Sequence, residues 1–435
     1  MLISESLSLF LRSIWQSWGW LFLILFSLFW LFLLIKLCLF LYFWWRRELW
    51  LRQQKFILLE IKIPKEILKP IRAMENVFAG LCAIYDPPDW WEKWIDGKML
   101  LSISLEIVSI GGGPHFFIRI PEPNRAMVEA NIYSQYPEAE ITLVDDYTKY
   151  VPQDIPNKYW DLWASDYILA KDDSYPIKTY QKFETEREVK EEKRIDPLAG
   201  LLEAMAKIRP GEQLWIQITA QPVRAGVESD WVERGKKIRD EIARRKERPK
   251  PKSIIGEVVE VLIRGKPTEA PPEEKEIIPP EMKLTPGERE IISGVEEKIS
   301  RPGFETNIRF IYLGKTDVFF KPNCRLAFSF FANYATENLN GLYPWKSTLT
   351  KIHKSWFLPL NLLLPRRLYL RKRRLFRNYI KRLPPLFPRA GGTFIFNTEE
   401  LASLYHFPSR AVAAAPFVTR VEAKKGEAPP GLPVE

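Results

Sequence analysis

Residues 19–45, GWLFLILFSLFWLFLLIKLCLFLYFWW, constrain the chain more than any other stretch, because 27 residues pass with Lys36 as the single charge. At about 1.5 Å per residue such a helix outspans a hydrocarbon core of about 30 Å. Its ten Leu, six Phe and two Ile are worth roughly −5 to −11 kcal/mol together on an insertion scale, against a cost of about 3 for Lys36. The reading is a transmembrane helix over 18–45, after an N-terminal segment 1–17. A register from Trp15 to Ile35 places Lys36 at the interface, and one from Trp18 to Phe40 makes it snorkel. In both, Trp15, Trp18 and Trp20 on one flank and Trp44 and Trp45 on the other read as an aromatic belt. A cleaved signal peptide fits poorly: the run is too long, its leading end is not basic, and no small-residue cleavage site follows. Arg46, Arg47, Arg52 and Lys55 after the run outnumber Arg12 before it. The positive-inside bias therefore predicts a single-pass protein of the cytoplasmic membrane with its C-terminal body in the cytoplasm.

The remaining body has room for two ordinary domains with inserts. Cys38, Cys82 and Cys324 offer no disulfide framework, which suits a reducing compartment. The net charge of +10 is local, since Lys351 to Arg389 holds twelve Lys/Arg and no Asp/Glu. Everything else sums to −2.

Periodicity gives the order of elements. Phe56–Ile63 reads as a strand ended by Pro64, and Lys65–Ala83 as a helix stopped by Pro87-Pro88. Leu100–Ile110 and His115–Ile120 alternate around Gly111-Gly112-Gly113-Pro114, a hairpin. Asn124–Tyr136 is helical with Asn124 as N-cap, and Glu140–Val144 is a strand. The fold class is therefore α+β, and residues 46–150 read as a first ferredoxin-like (split βαβ) domain. A second such unit fits in two parts, 151–222 and 302–342, with the helix from Asp196-Pro197 to Ile208 and strands at Gln213–Ala220 and Asn307–Leu313. It is split by a charged helical and Pro-rich insertion (223–301), expected to project as a helical hairpin. A basic aromatic insertion (343–389), a closing strand at Gly392–Phe396 with a following helix (390–423), and a linker-like tail (424–435) complete the division.

No catalytic machinery emerges. Gly314-Lys315-Thr316 lacks the glycine a phosphate loop needs five residues earlier, where Arg309 stands. His115, His353 and His406 have no second His or Cys at metal-ligand spacing. Asp145-Asp146 and Asp172-Asp173 read as solvated turn residues, since sequence neighbours at strand ends point apart. The expectation is a non-enzyme with no catalytic residue, cofactor or metal site.

The basic insertion carries the strongest signal. Trp356 and Phe357 precede Arg366, Arg367, Arg371, Lys372, Arg373, Arg374, Arg377, Lys381 and Arg382, interleaved with Tyr369, Leu370, Leu375, Phe376, Tyr379 and Ile380. Three readings compete: an amphipathic segment on anionic lipid, an arm on DNA or RNA phosphates, and a basic surface paired with acidic neighbours or a partner subunit. The anchor favours the first.

Two stretches also carry a resemblance. SLEIVSIGGGPHFFIRIPEPNRAMVEANIYSQYPEAEI (104–141) resembles a segment of membrane-anchored proteins of bacterial conjugation and type IV secretion-like systems. FIFNTEELASLYHFP (394–408) resembles the segment that precedes an FtsK/HerA-type translocase ATPase domain in that group. DPLAGLLEAMAKIRPGEQLWIQ (196–217) and RPGFETNIRFI (301–311) fit the same pattern. The resemblance implies a non-catalytic module, with the motor either a separate polypeptide or missing from a truncated relative. Its implied partners are the bilayer, a translocase ATPase and other secretion components, with oligomerisation left open. Glu399, Glu400, Leu401, Leu404, Tyr405 and Phe407 are then candidate partner-docking residues; the competing reading is a helix capped by Asn397 or Thr398 that packs inward. The function expected is a scaffold positioning a separate ATPase at the cytoplasmic membrane. The alternative is a membrane-tethered nucleic-acid-binding protein acting through 366–382.

Overall fold

A computed structural model describes residues 2–64, 69–184, 196–243, 284–352, 354, 361–385, 392–408 and 420–421, without the side chains of 2–18, 64, 184, 420 and 421. The tip of the first insertion (244–283), Trp356 with Phe357, His353, and the tail (424–435) lie outside the described residues. So do the side chains of Trp15 and Trp18. The chain divides into two compact parts, Met1–Lys55 with Asp86–Leu100, and Phe56–Tyr85 with Leu101–Glu435.

In the first part, α1 (Leu2–Gln53) is one unbroken helix. It runs past both ends of the expected span because residues 2–53 contain no proline and only Gly19 as glycine. From Leu21 to Phe40 its large apolar side chains are exposed on all sides, Leu21 at 51% and Phe40 at 57%, the pattern of a helix that is apolar all round rather than on one face. Gly19–Gln53 is long and apolar enough to cross a membrane.

The second part is an α+β body on one mostly antiparallel sheet. Its strands are β1 (Phe56–Pro64), β2 (Ile103–Ile110), β3 (Gly113–Pro121), β4 (Glu140–Val144), β5 (Trp160–Leu169), β6 (Glu212–Val223), β7 (Gly303–Lys315), β8 (Leu342–Pro344), β9 (Phe394–Asn397) and β10 (Arg420–Val421). They lie in the order β1-β3-β2-β6-β7-β5-β8, with β4 and β10 also on β1 and β9 on β7. The hairpin turn joining β2 and β3 uses Gly111 (φ 59°) and Gly112 (φ 94°), the positive φ pair that a two-residue turn between twisted strands requires.

The helices are α2 (Arg72–Leu81), α3 (Arg125–Gln135), α4 (Tyr180–Glu184), α5 (Ala199–Ala206), α6 (Trp231–Ile242), α7 (Pro286–Ile299), α8 (Arg325–Ala332), α9 (Leu364–Lys381) and α10 (Thr398–Leu404). Strand alternation divides the core. Leu105, Ile107, Ile118, Ile216, Ile218, Phe310 and Tyr312 face α2, α3, α5, α8 and α10 on one side of the sheet. Val108, Phe117, Trp215, Ile311 and Leu313 face α9 and the segment around Tyr147 and Ile155 on the other.

The elements β1-α2-β2-β3-α3-β4 are echoed by β5-α5-β6-β7-α8-β8. The first half has lateral order β4-β1-β3-β2, the second β8-β5-β7-β6, and the halves join as β2 pairs β6 from Ile103↔Ala220 to Ile110↔Gln213. The strand closing the second half is thus Leu342–Pro344, correcting the expectation for 392–396. β7 is long enough that β5 takes only Arg309–Lys315, leaving Gly303–Thr306 for β9. In the insertion, α6 and α7 pack together at Gly235, where an added Cβ would come within 2.6 Å of Ile299. Trp231 ties this pair to Val223 and Ile395.

Candidate interaction site: the basic helix and its polar seat

Pro365 in the first turn suits the start of α9, and Leu375, Phe376 and Tyr379 at i, i+1 and i+4 form its inner stripe. All three are buried, with Tyr379 5.2 Å and Phe376 6.4 Å from the Trp215 ring. At about 1.5–3 kcal/mol per side chain this stripe contributes roughly 5–9 kcal/mol of docking.

Beneath the helix lies a row of side chains that register places side by side across the sheet. Glu106 stands opposite Gln217, Gln217 opposite Arg309, and Arg309 opposite Asp166. Glu106, Gln217 and Arg309 each stand between two apolar neighbours in mid-strand, and all four are buried. The row grips the C-terminal end of α9. Arg382 Nε donates to Glu106 Oε1 at 2.9 Å, and its Nη1 reaches Asp146. Gln217 Nε2 donates to the Tyr379 carbonyl at 3.2 Å and Arg309 Nη2 to the Leu383 carbonyl at 3.0 Å. The Tyr379 carbonyl also accepts from the Arg382 amide at 3.0 Å, and Leu383 lies just past the helix end; cationic and amide donors there complement the helix dipole. Ser104 and Tyr147 also donate to Glu106, at 2.6 and 2.7 Å. Arg309 itself pairs with Asp166 at 2.6 Å.

Burial would raise the Glu106 carboxyl, but the Arg382 guanidinium and the donors around it outweigh burial and hold it below the usual carboxylate range. Asp146 follows the same logic. Arg119, two residues from Phe117 on the same face, is lowered to about 10, by burial first and then by the charge of Arg382.

The nine basic residues therefore separate. Arg382 is buried in the clamp. Lys372 pairs with Asp161 at 2.5 Å, and Arg371 donates to the Leu349 carbonyl at 2.7 Å. Arg374 is half-buried. Arg366, Arg367, Arg373, Arg377 and Lys381 are exposed, and with Leu370 the residues 366, 370, 373, 377 and 381 step by four, three, four and four along one outer face. Arg373 leans on the Asp154 carbonyl at 2.8 Å. Leu362, Leu363, Tyr369 and Leu370 extend this exposed surface. The result is a basic ridge with apolar residues at its N-terminal end, seated on the sheet.

The candidate docking residues Glu399, Glu400, Leu401, Leu404, Tyr405 and Phe407 are instead all buried, so they present no surface to a partner. Asn397 caps α10 in a capping box with Glu400. Glu400 pairs with Lys298 at 2.9 Å, both fully buried, and accepts from the Ile177 amide at 2.9 Å. Glu399 pairs with Arg301, and Tyr405 donates to the Phe117 carbonyl at 3.2 Å. Burial raises the Glu400 carboxyl despite Lys298.

Of the acidic pairs, Asp145 and Asp172 are exposed as expected, but their neighbours and partners differ from expectation. Asp146 belongs to the Arg382 clamp, and Arg234 bridges Asp172 and Asp173 at 2.6 and 2.8 Å. His406 is buried against Asp196 at 3.0 Å, and His115 meets Glu60 at 2.7 Å. Among the described residues no group of three or more His, Cys, Asp or Glu is placed to hold a metal ion. No curated protein matches the chain. A family model described as "Domain of unknown function (DUF8128)" matches residues 103–418, from the start of β2 through α10. The match spans well over half of the sequence, and the protein belongs to the DUF8128 family.

Proposed function

We propose that this protein is a non-catalytic, membrane-anchored scaffold of a conjugation or type IV secretion-like apparatus, holding a separate translocase ATPase at the cytoplasmic membrane. The observation that carries the reading is one chain joining a helix long and apolar enough to span a bilayer to a continuous sheet that seats an exposed basic helix. The lateral order β4-β1-β3-β2 and its repeat β8-β5-β7-β6 support reading the body as two ferredoxin-like units fused edge to edge. Because 399–407 is buried, partner docking falls to other surfaces, with the α9 ridge the strongest candidate. The test is a pull-down of the detergent-solubilised full-length protein from its own cells with mass spectrometry. Recovery of a translocase ATPase and secretion components supports the scaffold; nucleic acid without an ATPase overturns it.

The exposed Arg366, Arg373, Arg377 and Lys381 favour a second reading, a membrane-tethered nucleic-acid-binding protein. Its signature is DNA affinity that falls steeply with salt and is lost when these residues become glutamine.

A further inference from the structure

The segment between α2 and β2 holds aromatic residues that the fold leaves bare. Trp90 is 68% and Trp91 60% exposed. They are not on a loose loop. Asp89 Oδ1 accepts from the Glu92 amide at 2.7 Å while Glu92 Oε2 accepts from the Asp89 amide at 3.1 Å, a reciprocal cap that starts a short helical turn. Lys98 pins both ends, pairing with Asp86 and with Glu92 at 3.0 Å each.

This turn is packed against α1 at one level. Trp94 meets Phe43 edge to face at 4.5 Å. Arg46 Nε donates to the Ile95 carbonyl at 2.5 Å, and Arg46 approaches Asp96 at 3.8 Å. Gly97, at φ 77°, lies so close that an added Cβ would fall 2.6 Å from the Arg46 carbonyl carbon. Only glycine satisfies both that conformation and that approach. The contact level coincides with the end of the apolar run, where Trp44 and Trp45 are themselves exposed.

We infer that the Asp89–Asp96 turn is a second membrane contact, resting Trp90 and Trp91 in the headgroup–acyl boundary of the leaflet that α1 enters there. The occupant follows from continuity. A core of about 30 Å counted from Trp20 ends near Phe40, so Phe43 to Arg46 stand about 5–9 Å beyond it, at headgroup depth. Indole rings favour that layer, apolar in body and polar at N–H. With the register from Trp15 to Ile35 the same residues would stand about 12–17 Å beyond the core, so the inferred contact goes with the register from Trp18 to Phe40. The inference rests on α1 spanning the bilayer.

The test places a benzoylphenylalanine photo-crosslinker at Leu33, Trp90, Trp91 or Gln53 of the full-length protein in nanodiscs of phosphatidylcholine and phosphatidylglycerol. Gln53, on α1 about 15 Å beyond Phe43 along the helix axis, is the water-side control. Lipid adducts at 33, 90 and 91, at least about ten-fold above those at 53, are the expected result for residues in the bilayer and its interface. Adducts at 33 but not at 90 or 91 overturn the inference and leave the anchor standing. No adduct at 33 overturns the anchor and the inference with it. In a Gly97→Val background, adducts at 90 and 91 fall while those at 33 persist; their persistence at 90 and 91 contradicts a contact held by packing on α1.

Discussion

Arg382→Met removes the cation that neutralises Glu106, a carboxylate with no exposure at all, and Asp146 beside it. Leaving one side of such a buried pair unmatched costs about 3–5 kcal/mol. The apolar stripe of Leu375, Phe376 and Tyr379 contributes about 5–9 kcal/mol, so the helix stays seated but opens more often. A loss of about 3 kcal/mol is roughly a hundred-fold in an opening equilibrium. Hydrogen exchange with mass spectrometry on the full-length protein in nanodiscs reads this directly, because amides that exchange by local opening follow that equilibrium. Peptides covering 370–382 should exchange at least about a hundred-fold faster in the variant. Adding Glu106→Gln removes the stranded charge and should recover about 1–3 kcal/mol. Unchanged protection in the single variant, or no recovery in the double, would refute the clamp.

The same clamp predicts an acid response. Glu106 and Asp146 are both held below the usual carboxylate range, so their contribution is complete above about pH 4–5 and is lost as pH falls through their lowered values. Glu400, raised by burial, acts in the opposite direction. Wild-type protein should lose stability below about pH 4 more steeply than Arg382→Met, and parallel curves in a pH series of denaturant melts would count against this. Lys298→Met should cost about 3–5 kcal/mol by stranding Glu400, and Lys298→Met with Glu400→Gln should cost less in the same melts. Changing Arg366, Arg373, Arg377 and Lys381 together to Gln should alter stability by no more than about 0.5 kcal/mol per site. Binding of DNA or anionic vesicles should weaken and the salt slope for DNA shrink by up to about 3.6; an unchanged slope removes the ridge from binding.

Local signals in this sequence were legible and distant partnerships were not. The apolar run, the hairpin at Gly111-Gly112 and the helix before Pro137 all declare themselves within a few residues, because period and turn chemistry are local properties. The three-residue strand Leu342–Pro344 has no period to display, which is why the longer GTFIF stretch was expected in its place. Glu399 and Glu400 read as candidate docking residues because their partners Lys298 and Arg301 lie about a hundred residues earlier in the chain. Asp146 read as a turn residue for the same reason, with Arg382 lying 236 positions away. The basic segment was legible as amphipathic, but not which residues face inward: Leu375, Phe376 and Tyr379 are core while Tyr369 and Leu370 are exposed. One signal was present and passed over. In SLEIVS, WIQIT and NIRFI a long polar side chain (Glu106, Gln217, Arg309) stands between two apolar neighbours, and those three contact the end of the basic helix.

The scaffold and the tryptophan contact both depend on α1 spanning a bilayer, so alkaline carbonate extraction of membranes from cells expressing the full-length protein tests the account most directly. The prediction is that wild-type protein stays in the pellet. Leu28→Arg with Phe32→Arg, which adds roughly 5–7 kcal/mol at the helix centre against the favourable −5 to −11, should release much of it. Wild-type protein washed into the supernatant would contradict the anchor.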